Sequence, residues 1–283
     1  MIYRFILSII FLSTLFSQNQ VVLEEVMYMD ASYVGEITTT SKKFAADGLY
    51  RQESSIDVDR FLIRMAMGGN KKFGTILDGR EKTRIVYDAN DDKYAFESFD
   101  LIRNNKGKPQ LKGMDQNMNF GGGSNNRKNR DEDSDKVSED EEVKKESIVE
   151  RSITDEIKLI AGLEGRKVIT VIKSSEGMVK FEEWFTMDTL LLTYVLNMEK
   201  NLIKSYGGEK QNIPRSFSEL MLDRSGEDYV PMEGSLLKYS MEMIDEDEKG
   251  FKMSWELKSL KEVPFSINDF NIYKSYKKVD ELD

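Results

Sequence analysis

The chain has 283 residues, 41 basic against 51 acidic, and contains neither histidine nor cysteine. Those absences exclude a Ser-His-Asp triad, an imidazole base, a thiol nucleophile, His- or Cys-ligated metal sites and disulfides. The formal net charge of −10 argues against nucleic acid or an anionic lipid surface as a main partner.

In chain order, the first 17 residues carry one charge, Arg4, then an apolar run from Phe5 to Phe16, then the small residue Ser17. This is the build of a cleaved secretory signal peptide. The apolar run of about 12 residues falls short of the roughly 20 that a membrane-spanning helix needs. Gln18-Asn19-Gln20 ends it abruptly, and no later segment approaches spanning length. The expectation is therefore a periplasmic or secreted chain with no stable membrane insertion, in which residues 18–283 form one domain. Removal of Arg4 takes its net charge from −10 to −11.

Strands come next. Val21 to Met29 and Tyr33 to Phe44 are rich in β-branched and aromatic residues; Leu49 to Val58, Phe61 to Met67, Phe73 to Leu77, Thr83 to Tyr87 and Tyr94 to Phe99 follow at hairpin spacing. Ala46-Asp47-Gly48, Gly68-Gly69-Asn70, Asp78-Gly79 and the stretch from Asp88 to Asp92 supply the turns. The composition then breaks. From Arg103 to Glu150 only eight of 48 residues are large and apolar. The first part holds seven basic residues against Asp115, and the part from Asp131 holds ten acidic residues against three lysines. So little apolar surface does not offset the ordering entropy, which predicts a disordered charged insertion over 103–150. Within it, Asp131, Asp133, Asp135, Glu139 and Glu142 have the spacing of a calcium loop, but Lys136 stands where that loop needs glycine. The residues read as solvated charge, and no metal or cofactor is expected.

After the insertion, Glu156 to Ile160, Arg166 to Ile172 and Val179 to Phe185 read as three more strands. From Asp188 to Tyr206, Leu191, Val195, Met198 and Leu202 recur at helical spacing, with Asp188 as N-cap and Gly207-Gly208 as the stop. A shorter helix is predicted from Arg215 to Leu222. Then Leu237, Tyr239, Met241 and Met243 alternate with Lys238, Ser240 and Glu242, and Phe251, Met253, Trp255 and Leu257 do the same against Lys252, Ser254, Glu256 and Lys258. Such alternation predicts a sheet with one wet and one dry face. The tail from Tyr273 to Lys278 reads as a last strand with a solvated face.

The fold class that follows is mainly β with some helix (α+β): a large curved antiparallel sheet of about ten or eleven strands with one or two helices lying on its apolar side. Three features carry a resemblance: the turn Ile76-Leu77-Asp78-Gly79 leading to a strand ending Tyr87-Asp88, the stretch from Glu156 to Val168, and Glu183-Trp184-Phe185 running into the long helix. With them the chain resembles the LolA/LolB-like superfamily, and more closely its uncharacterised exported relatives than the periplasmic lipoprotein carriers. The resemblance implies an unclosed β-barrel with a helical lid on its concave face, whose apolar concavity takes acyl chains or another apolar ligand. The carriers' early Arg-Pro pair is replaced here by Lys43-Phe44-Ala45-Ala46, so no latch residue is carried over.

Three functional readings follow. The first is a non-enzymatic binding protein, a periplasmic carrier or sensor of a lipid, an acyl chain or a lipoprotein. Trp184, Tyr239, Met241, Met243, Met253 and Trp255 would line its cavity, because methionine adapts to varied apolar shapes. The same six residues equally suit a plain core. The second is a structural or interaction protein of the envelope with a filled core, whose charged insertion contacts a protein partner. The third, an enzyme, has only carboxylates, lysines and tyrosines to work with. Adjacent Glu182 and Glu183 point to opposite faces of their strand and form no catalytic pair.

Overall fold

The structure, a computed structural model, describes residues 19–31, 35–66, 69–111, 148–175, 177–209, 216–225, 229–245 and 250–282. The expected signal peptide, most of the charged segment and its calcium-like spacing lie outside the described residues.

Six strands precede the charged segment: β1 (Asn19–Ala31), β2 (Gly35–Ala46), β3 (Leu49–Val58), β4 (Lys71–Asp78), β5 (Thr83–Asp88) and β6 (Lys93–Ser98). Six follow it: β7 (Ile148–Ile160), β8 (Leu163–Ser174), β9 (Gly177–Thr186), β10 (Ser235–Asp245), β11 (Gly250–Pro264) and the two-residue β12 (Lys277–Lys278). They form one sheet in the order β12-β6-β5-β4-β3-β2-β1-β11-β10-β9-β8-β7. Two antiparallel meanders are thus joined where β1 pairs with β11, with Val21 opposite Glu262 and Met29 opposite Met253. Only the short β12 runs parallel to its neighbour. The sheet is not closed into a barrel, since β7 and β12 stand at its two ends. The expected fold class holds.

The turns are built from the chemistry the sequence advertises. Asp78 Oδ1 accepts from the backbone N–H of Arg80 and Glu81, and Asp88 Oδ1 from those of Asn90 and Asp91. The β7–β8 hairpin turns through Ala161 and Gly162, both at positive φ, the pair of conformations a tight twisted hairpin requires.

Among the described residues four α-helices accompany the sheet: α1 (Phe61–Ala66), α2 (Phe99–Asn104), α3 (Leu190–Ser205) and α4 (Phe217–Ser225). The first corrects the strand expected from Phe61 to Met67. A short apolar run has no period that separates strand from helix. Here Arg64 N–H bonds back to the Arg60 carbonyl and only Ile63 packs inward, while Phe61, Leu62 and Met65 are exposed. Helix α2 was not expected. Ser98 caps it, its hydroxyl accepting from Leu101 N–H, and it buries Phe99 and Ile102.

The expectation of one wet and one dry face holds for only half of the sheet. Val21, Ala45, Tyr50 and Leu77 lie under Val195, Leu202 and Tyr206 of the α3 region and beside Phe99 and Ile102 of α2. We call this the helix face. On the opposite face, Phe44, Ala46 and Leu49 pack on Phe270, and Ile76, Ile85 and Tyr87 on Ile272, Tyr273 and Tyr276. The C-terminal segment therefore covers this second face with two 3-10 turns; of the solvated strand expected from Tyr273 to Lys278 only Lys277–Lys278 pairs, as β12. The cause is composition: β4 and β5 are apolar at consecutive positions, and Phe73 to Leu77 are all buried, so both sides of these strands need cover. In β8–β11 the second face is wet. Lys167 and Lys180 pair with Glu182, and Lys238 and Lys258 with Glu256.

The two ends of the 103–150 segment belong to described structure. Arg84 and Glu97 form a buried ion pair at 2.8 Å. Arg84 also donates to the Leu111 carbonyl, and Glu97 accepts from Gln110 N–H. At the other end Ile148 to Glu150 pair with β8.

Candidate functional site

Five of the six residues singled out in the sequence share the helix face in adjoining rows. Tyr239 is the cross-strand partner of Trp255, Met241 of Met253, and Met243 of Phe251. Across β1 the rows continue, Trp255 opposite Met27 and Met253 opposite Met29. Directly opposed residues project to the same side of a sheet, so this is one continuous apolar stripe.

Its depth varies along the strands. Tyr239 is buried, stacked on Trp255 at 6.4 Å and touched by Phe217 of α4 at 4.3 Å between ring centroids. Burial and the neighbouring Glu183 carboxylate push its phenol well above the usual value, so it stays protonated. Trp255, Met241 and Met253 are half-buried, and Met243 is 43% exposed. Neither methionine of the Met241–Met253 pair belongs to a closed core cluster. Trp184 departs from the pattern. A register shift between Leu236 and Lys238 sets it opposite Lys238, off the stripe. It is buried with Leu23, Ile160, Leu192, Leu237 and Leu257, a structural cluster.

A space beneath the long helix was expected to adjoin these residues. Helix α3 spans β1–β4 and β11. Its inward residues are closed over the sheet, with Val195 0% and Leu202 6% exposed. Asp188 is not the cap; the helix starts after Thr189 with no side-chain bond. Beyond the closed packing the helix face turns polar. Lys43 and Glu25 pair at 2.6 Å, both side chains under one-sixth exposed, and Ser41 bonds Ser54. Desolvation works against the Lys43 ammonium, but Glu25 and the more distant Glu199 outweigh it and hold its pKa above the usual value. On the row of Trp255 and Met27 sits Thr39, whose buried hydroxyl has no partner among the described residues.

Sequence reasoning missed the polar network that fixes α4. Glu183 is fully buried and accepts from the hydroxyls of Ser216 and Ser218 and from the backbone N–H of Phe217 and Ser218. A carboxylate at a helix N-terminus is met by free N–H donors and the positive end of the helix dipole. Next to it, Arg151 of β7 donates to Thr170, Ser218 and Glu219. Glu219 also accepts from Met232 N–H, tying down the approach to β10. The signal was present in the sequence: Glu183 occupies an apolar slot of the two-residue period between Phe181 and Phe185. With its oxygens occupied by these donors, Glu183 is a structural anchor. Among the described residues no group of three or more acidic side chains is placed to hold a metal ion, and no helix is long and apolar enough to cross a membrane.

No family model matches the chain. No curated protein matches it either. Among solved structures, it is similar to an outer membrane lipoprotein-sorting protein domain from Vibrio parahaemolyticus, 11% identical over 91% of each chain, with a TM-score of 0.26. It is also similar to a LolA superfamily protein from Nitrosomonas europaea, 8% identical over 90% of this chain and 91% of that one, with a TM-score of 0.24. Scores this low leave the function to be argued from the site.

Proposed function

We propose that the mature chain is an exported, non-enzymatic binding protein of the periplasm, a carrier or sensor that holds a lipid, an acyl chain or a lipoprotein's acyl groups on the helix face. Met241, Met243, Met253 and Trp255 form the contact surface in this reading. Tyr239, stacked on Trp255, is the wall that holds the surface in place, and Trp184 belongs to the closed cluster against which Trp255 also packs. One observation carries the reading: the Met241–Met253 pair stays half-open one cross-strand row beyond the Tyr239–Trp255 pair, outside the closed packing under α3. Apolar area removed from water there stabilises a complex by about 25 cal/mol per Å² before ordering costs. Flexible thioethers accommodate chains of differing shape, and the unpaired Thr39 hydroxyl offers one polar contact to a ligand oxygen. The domain plan belongs to the same proposal: a signal peptide over 1–17 and one domain over 18–283, interrupted by the charged segment 103–150.

A second reading has its own support in the closed packing beneath α3, which suits an envelope scaffold whose charged segment contacts another protein. The two separate in one experiment. Titrating a fluorescent acyl probe into the wild type, Met241→Glu and Met253→Glu, with thermal unfolding in parallel, is expected to show binding lost at least about tenfold while Tm moves by only a few degrees. Equal loss of both, or no uptake by the wild type, supports the scaffold.

A further inference from the structure

The two ends of the sheet are unlike. At one, Lys277 N–H donates to the Asp92 carbonyl at 2.7 Å and Val279 N–H to the Tyr94 carbonyl at 2.8 Å, so the C-terminal segment caps the outer side of β6. At the other, β7 pairs with β8 alone, and no described segment lies along its outer side. An uncapped edge presents a row of free backbone donors and acceptors, the template for adding a strand. Four large apolar residues of this edge are open to water: Ile148, Ile153, Ile157 and Leu159, at 46–67% exposure.

Ile157 also begins a groove of about 540 Å³. The groove runs inward along one cross-strand row, Ile157 opposite Arg166 and Arg166 opposite Phe185, with Leu163, Met187 and Met232 completing its apolar lining. Its volume lies within the roughly 300–1,000 Å³ of ligand-holding clefts. The charged residues that border it are Glu164, Asp188 and Glu233 against Arg166 alone. The register shift between Ile153 and Ile157 splits the edge, leaving Ile157–Ile160 as the stretch that adjoins the groove.

We propose that the Ile157–Ile160 edge and this groove dock an extended segment of another protein in which apolar residues alternate with lysine or arginine. The free edge supplies main-chain pairing, which a detergent-like molecule could not use. The groove opens onto the edge, so a side chain of the added strand projects into it. In the edge Asp155 and Lys158 offset each other and Glu156 pairs with Lys167, so the acidic excess is that of the groove, Glu164, Asp188 and Glu233 against Arg166; it favours a cationic segment and disfavours a second copy of a chain whose own net charge is −10. This site is separate from the methionine stripe and stands or falls without it.

The test uses the full chain and three labelled synthetic peptides in fluorescence anisotropy: one alternating valine and lysine, the same with glutamate for lysine, and the lysine peptide N-methylated at alternate residues. The lysine peptide is expected to bind and the other two to fail. Glu164→Lys combined with Glu233→Lys, both at exposed positions, is expected to weaken binding about tenfold or more and to flatten its salt dependence. Ile157→Ser is expected to weaken it while leaving the melting curve in place. Equal binding of the glutamate or N-methylated peptide overturns the proposal, as does indifference to both variants. A concentration-dependent dimer abolished by Ile157→Ser overturns it in favour of a second copy.

Discussion

Glu183 lies fully buried on β9, and its described donors come from one short stretch, Ser216 to Ser218. Removing the carboxylate would leave two hydroxyls and two backbone N–H groups without their acceptor in a dry site. Glu183→Ala is expected to lower stability by about 2–3 kcal/mol in urea unfolding, and Glu183→Gln by less, since the amide oxygen still accepts. On the other face Arg51 donates to Tyr87, Glu53 and the Asp269 carbonyl, and its guanidinium lies over the Phe44 ring. Desolvation raises the Glu53 pKa, but Arg51, Lys72 and the Tyr87 hydroxyl outweigh it and bring it below the usual 4.5. A carboxyl depressed on folding adds stability that is complete above its unfolded value and fades as pH falls through the folded one. Glu53→Gln is therefore expected to reduce the Tm lost on acidifying below about pH 4.5, read from thermal scans at stepped pH. Two-residue periodicity located the apolar stripe, whereas Glu183 and Arg51 depend on partners far along the chain that no local pattern names.

Helix α3 was visible in the sequence because Leu191, Val195, Met198 and Leu202 keep one face over four turns. What lies under it was not, since spacing tells which side is apolar and not whether the space is filled. Leu202 meets the sheet beside the Asp78–Gly79 turn, where a Cβ on Gly79 would come within 2.6 Å of Leu202 Cδ2. Leu202→Ala is expected to cost about 2–4 kcal/mol by equilibrium unfolding, through lost burial and the cavity left behind. The C-terminal ends of α2 and α3 approach backbone to backbone. Arg103 donates to the Ser205 carbonyl, and a Cβ on Gly107, at φ +74°, would lie 1.9 Å from the Gly207 carbonyl oxygen. Gly107→Ala is expected to destabilise by at least about 2 kcal/mol, combining the clash with left-handed strain, and to lower the helix signal in far-UV circular dichroism. The tail was misread for a related reason. Tyr273 and Tyr276 are interleaved with lysines but stand three residues apart, the spacing of a 3-10 turn, and they serve as aromatic cover, with Tyr273 5.1 Å from Tyr94 and Tyr276 5.9 Å from Tyr87.

At the scale of the whole molecule, one sheet serves two purposes. Its β1–β6 half is sandwiched, with α2 and α3 on one face and the C-terminal segment on the other. Its β7–β11 half is covered on one face only in part, and there the methionine stripe and the edge groove lie. The antiparallel order of hairpins was readable from alternation and turn residues; the count was not, since about ten or eleven strands were expected against twelve and the apolar run from Phe61 is a helix. The second covered face and the sealed helix were not readable either, because they arise from residues far apart in the chain, such as Gln20 with Asp269 on the second face and Val21 with Val195 under the helix. The central claim is that the open stripe holds an apolar ligand. Native mass spectrometry of the protein purified from its own host, without detergent, tests it most directly. The account predicts a non-covalent lipid mass on the wild type that is absent from Met253→Glu; a bare polypeptide mass in both would contradict it.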